Sequence, residues 1–262
     1  MRSMLTSAAQ NGVPGDGSDA AGAAGPALPR PLPALVAASA LPSTLLYDAR
    51  RGVHYEKPVL RGWLHLVWFA ASLVAGTLLV FAAHGAAHRT GAAIFVACSS
   101  GLFGVSALYH RGNWGPVASR RMQRADHVMI FLLIAGTATP VFLVAVPGAF
   151  GTVCLAVLWS LTVVATAAHL TRMQASERLV GGVFIGLGAV NLLALPGLWT
   201  HSGVPAAILA LVGGLLYVTG AVVYHCRRPD PSPSVFGYHE VFHAFVCAAA
   251  TCHFVVVALL PG

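Results

Sequence analysis

Five side chains in this sequence have the types and order that a hydrolytic metal centre needs: Ser106, His110, Asp126, His239 and His243. His239 and His243 are four apart, so on a helix both project from one face and can share an ion. Ser106 stands one turn from His110 in the same way. Three neutral imidazoles about 2.0–2.1 Å from zinc leave a fourth position for water, whose pKa falls to about 7. Asp126 would accept or orient the water's proton, and Ser106 would hydrogen-bond the water or a developing oxyanion. The expected metal ligands are therefore His110, His239 and His243, the expected cofactor is zinc, and the expected catalytic side chains are Asp126 and Ser106.

The four-residue spacing is not specific by itself. His84 and His88 share it, with no acidic residue nearby. The bland reading of either pair is interfacial histidine satisfied by carbonyls or water. Residues 239–243 also read His-Glu-Val-Phe-His, the H-E-x-x-H of zinc proteases, with Glu240 as general base. Such enzymes need a third ligand; no Asp or Glu follows Glu240, so His110 would have to supply it. Glu240 equally suits a helix start, where the dipole favours negative charge.

The elements that must position these residues follow from composition. Hydrophobic residues make up 57% of the 262 positions and charged residues 9%, against about 25% charged in soluble domains. Seven apolar stretches are long enough to span a bilayer as helices: 64–83, 92–110, 127–147, 149–169, 179–199, 205–225 and 239–260. The fold class is an all-α membrane protein of seven transmembrane helices. Of the 15 basic residues, 14 fall before the first span or in alternate loops, leaving Arg89 on the other side. The positive-inside rule then puts the amino terminus in the cytoplasm and the carboxyl terminus outside. The net charge of +7 is thus read as topology and not as a nucleic-acid surface. In this arrangement His110, Asp126, His239 and His243 all lie near cytoplasmic helix ends, at similar depth, as a polar site in a bundle requires.

Other features read more plainly. Residues 1–55, rich in Ala, Gly, Pro and Ser over most of their length, are expected to be a disordered low-complexity tail, and 56–262 the membrane domain. The five cysteines lack metal or disulfide spacing and read as small buried hydrophobes. His65, His127, His169 and His225 lie near helix ends, where interfacial anchoring is the default, as it is for the five tryptophans. His253, too far along its helix to share the metal, is expected to hydrogen-bond within the bundle, to Asn191 or a hydroxyl. Gly181, Gly182, Gly186, Gly213, Gly214 and Gly220 suggest close helix contact.

The sequence resembles the hemolysin III family, within the wider group of adiponectin and progestin receptors (PAQR) and alkaline ceramidases. The matching residues are Ser106-Ala-Leu-Tyr-His110, Asp126-His127, Leu133-Ile-Ala-Gly-Thr-Ala-Thr-Pro140, Gly213-Gly214 with Tyr217 and Gly220, His239-x-x-x-His243 and Cys252-His253-Phe254. The resemblance covers roughly 60–262. It implies a seven-helix fold, an inward amino terminus and zinc near the cytoplasmic face. The implied ligands are His110, His239 and His243, with Ser106 and Asp126 beside the bound water. The family's first motif pairs Glu and Asn before a histidine in span one; here Leu60-Arg-Gly-Trp-Leu-His65 keeps only the histidine.

The leading expectation is a multi-pass plasma-membrane hydrolase acting on an amide or ester bond of a lipid, with membrane lipids as partners. A pore-forming cytolysin is the alternative, although polar residues crowd the cytoplasmic third and leave no continuous lining for a pore. Intramembrane proteolysis and a zinc-stapled, lipid-sensing receptor are the remaining readings.

Overall fold

The computed structural model describes residues 45–48, 53–171 and 177–261, all within one compact unit, Thr44–Gly262. A short antiparallel hairpin comes first, β1 (Leu45–Asp48) and β2 (Val53–Glu56), with Leu45 opposite Glu56. It occupies the end of the stretch read as a tail; residues 1–44 of that stretch lie outside the described residues. Helices follow: α1 (Trp63–Ala82), α2 (Ala86–Arg111), α3 (Pro116–Val144), α4 (Ala149–Thr171), α5 (Glu177–Val190), α6 (Leu195–Ser202), α7 (Val204–Cys226) and α8 (Tyr238–Ala258).

These helices make seven apolar crossings, because α5 and α6 together form one, Leu179–Ser202. That crossing is not one continuous helix. A 3-10 turn, Asn191–Ala194, separates the two halves just before Pro196. Proline has no N–H to give and its ring crowds the carbonyl four residues back, so the helix tightens ahead of it. Two helices also begin earlier than hydropathy alone marks. α2 starts at Ala86 and α3 at Pro116, so α3 carries a polar extension with Arg120, Arg121 and Arg124. Pro116 favours a start there, since a first-turn proline forgoes only an orphan N–H.

α2 and α3 form the interior. Half or more of their apolar windows is buried, against 11% for α4 and for the fifth crossing. Residues 135–142 of α3 are buried on every side. α8 packs against α1, α3 and α7, so the last crossing closes the bundle against the first. The outward faces are apolar, with Phe81 78% and Val164 64% exposed, which suits a chain whose solvent is lipid.

Lipid gives no hydrophobic force between helices, so close packing of small residues must hold them together. A Cβ on Gly91 would lie 2.5 Å from Pro140 Cα, and one on Gly136 would lie 2.6 Å from Cys98 Cβ, fixing α2 against α3. Of the six glycines expected at contacts, Gly213 fits against His253 and Gly220 against Phe245 and Phe242. Gly181, Gly182, Gly186 and Gly214 meet nothing within 4 Å among the described residues. They sit on faces that packing leaves open, which glycine content alone could not distinguish.

Candidate metal centre

The backbone brings α1 and α8 together before any side chain does. The N–H groups of Val59 and Leu60 donate to the carbonyls of Ser234 and Val235, at 3.0 and 3.1 Å. The segment before α1 is thereby sewn to the loop before α8. Asp230 Oδ1 accepts the Tyr238 N–H at 2.9 Å, tying that loop to the start of α8. Gly62 follows in the left-handed conformation, φ 78°, and a Cβ there would lie 2.9 Å from His110 Cβ. The start of α1 therefore rests directly on the last turn of α2.

With the helix ends so held, His110, His239 and His243 meet. One ring nitrogen from each lies within 4.8 Å of the others, a set that could hold a metal ion. His110 Nε2 and His239 Nε2 face each other at 3.2 Å. His243 is 2% exposed, and its Nδ1 has no hydrogen-bond partner. Asp126 Oδ2 stands 3.8 Å from His110 Nε2. Ser106 is buried one turn deeper on α2, close to the Asp126 carboxylate. All five residues singled out from the sequence thus occupy one locality. Largely buried nitrogens that converge with a carboxylate at their edge are a ligand set that could hold a cation.

Two neighbours escaped the sequence reading. His65, expected as an interfacial anchor, is 3% exposed and lies flat on His243, ring centroids 3.8 Å apart and planes 13° from parallel. Its edge meets Phe103, and neither ring nitrogen has a partner. Arg61 is also buried, and its Nε donates to Glu240 Oε1. Glu240 Oε2 accepts the Gly237 N–H at 2.9 Å, so both oxygens of the would-be protease base are engaged in structural bonds. The stretch that lacks the expected Glu and Asn thus contributes Arg61 instead. Its sequence signal was a charged residue four positions before a span-one histidine, which a topology rule absorbs without remainder.

Outside the spans, burial beside Arg61 and Arg111 pulls the Lys57 ammonium below its usual pKa range. Arg111 lies over the Trp63 ring at 3.8 Å, so these cations form a collar next to the site.

The remaining histidines sort differently. His88 donates to the Val257 carbonyl at 2.9 Å, while His84 is exposed ahead of α2, so this second four-residue pair is split between loop and helix. His127 packs on His169, at 5.3 Å between centroids, and joins no cluster with the triad. His253 stacks on Tyr217 at 5.8 Å, and the Asn191 amide turns back to the Gly188 carbonyl. Trp159, expected at an interface, sits mid-helix in α4 and donates to Thr139 Oγ1 at 3.1 Å.

Comparison with known proteins bears on the same stretch. Residues 53–254 match the family model described as "Haemolysin-III related". Similar proteins include "Hemolysin-3" of Bacillus cereus, 26% identical over 69% of this chain and 81% of that protein. "Hemolysin-3 homolog" of Bacillus subtilis (strain 168) is 26% identical over 50% of this chain and 59% of its own length. "Heptahelical transmembrane protein ADIPOR2" of Oryza sativa subsp. japonica is 35% identical over 32% of this chain and 41% of its own length. No solved structure matches.

Proposed function

Because the chain belongs to the haemolysin-III-related family, we propose from its gathered imidazoles that it is a zinc-dependent membrane hydrolase acting on an amide or ester bond of a lipid. The observation that carries this is the triad of His110, His239 and His243 with Asp126 and Ser106 at its edge. Tetrahedral zinc at about 2.0–2.1 Å from each ligand separates ligand nitrogens by about 3.3–3.4 Å. The His110–His239 separation of 3.2 Å is already close to that, and the Nδ1 of buried His243 has no competing hydrogen bond. A group of three is the count of a catalytic site; structural zinc sites normally close with four protein ligands.

When bound, zinc supplies Lewis-acid polarisation of a carbonyl and acidifies water. The rest falls to the protein. Hydrolysis adds one water across the C–N or C–O bond, so a proton must leave the water and reach the departing nitrogen or oxygen. Asp126 takes that proton and returns it, from a position beside His110. The Ser106 hydroxyl orients the carboxylate or donates to the developing oxyanion. His65 lies flat on His243 and against Phe103, and so covers that side of the imidazole cluster. A site set among apolar membrane-spanning helices suits a lipid substrate, and the basic end that carries the site would face the cytoplasm at the plasma membrane.

The test is to purify the protein in detergent, measure bound zinc, and assay ceramide-like amides. Asp126→Asn should keep its zinc and lose about 100-fold or more in turnover. His110→Ala should lose the metal itself. Equal turnover by wild type and Asp126→Asn would end this mechanism. The name of the Bacillus cereus relative supports a second reading, a cytolytic pore. That reading requires conductance across planar bilayers that survives removal of the metal.

A further inference from the structure

Arg61 and Glu240 are the buried Arg and Glu among the described residues, and they are bonded to each other. Their places in the chain give this pair its reach. Glu240 lies between His239 and His243 in the first turns of α8, and its other oxygen fixes the Gly237 N–H at the helix cap. Any rotation of this turn moves both imidazoles. Arg61 adjoins Gly62, whose backbone is pressed against His110 on α2. One short segment therefore touches both helices that carry the triad, α8 through charge and α2 through contact. The backbone pairing of 59–60 with 234–235 holds that segment to the same loop. A buried charge stripped of its partner is strongly disfavoured, so each member depends on the other staying in place.

We propose that Arg61 and Glu240 are a positioning couple for the triad, setting the depth and rotation of the start of α8 so that His239 and His243 meet His110. Glu240 in this role is not a general base, despite its H-E-x-x-H setting. The inference rests on the metal-site reading.

Wild type, Arg61→Met, Glu240→Gln, the double variant and Arg61→Lys are compared in detergent. Zinc affinity is read by chelator competition, coordination geometry from the visible spectrum of the cobalt(II)-loaded protein, and melting on the metal-free protein. Each neutralising single variant should bind zinc at least tenfold more weakly and lose the intense bands of tetrahedral cobalt. The double variant has no lone charge, and its amide oxygen can still accept from the Gly237 N–H, so it should recover part of the affinity. Arg61→Lys should stay near wild type, and metal-free melting should follow the same order. Single variants that bind zinc like a zinc-binding wild type would overturn the couple alone. So would a double variant impaired by the sum of both singles. A wild type that binds no zinc would overturn the metal reading and this inference together. If the singles do not fold, Arg61→Lys must bind more tightly than the double variant, and equal binding would overturn the proposal.

Discussion

Two histidine pairs with identical spacing meet opposite fates in this protein, and the difference lies in what surrounds each ring. His88 and His243 each keep a buried Nδ1 without a partner, but His88 spends its Nε2 on the Val257 carbonyl, whereas His243 lies among the rings of His65, His110 and His239. His88→Leu should destabilise the protein by about 0.5–1.5 kcal/mol through loss of that one hydrogen bond, since the carbonyl keeps the Leu260 N–H, while leaving bound metal unchanged. Denaturation in mixed micelles together with metal analysis checks both halves; metal loss on this substitution would contradict the division of roles. Ser106, His110, Asp126, His239 and His243 were legible from residue type, spacing and predicted depth. His65 and Arg61 were not, because stacking on His243 and pairing with Glu240 exist only once α1 lies against α8.

At the scale of elements, the ends of helices matter more than their middles. Apolar length marked all seven crossings, but the polar turns that open α3 and the break before Pro196 needed local rules of proline geometry. Gly62 shows the same point at the site itself. Its left-handed φ disfavours any residue with a Cβ, and the space such an atom would need is taken by His110 and Arg111. Gly62→Ala should cost about 1–3 kcal/mol of stability and weaken metal binding by tilting α1 away from α2. Melting and zinc affinity of that variant are the measurements; wild-type values in both would remove Gly62 from the support of the site.

For the molecule as a whole, the proposed orientation has a direct readout. Cys226 is exposed at the last residue of α7, on the basic end that carries the triad. A membrane-impermeant maleimide should label Cys226 in inverted vesicles and not in intact cells, with Cys226→Ala as the control. Labelling in intact cells would place the site outside. The sequence by itself determined the crossings, the basic end and the five residues that converge there, because lipid imposes length and apolarity on each helix separately and loop charge marks each side. It could not decide which helix faces meet. That depends on pairwise contacts such as Gly91 on Pro140, Gly62 on His110 and Arg61 with Glu240. Such contacts join residues far apart in the chain, and only the folded bundle sets their distances.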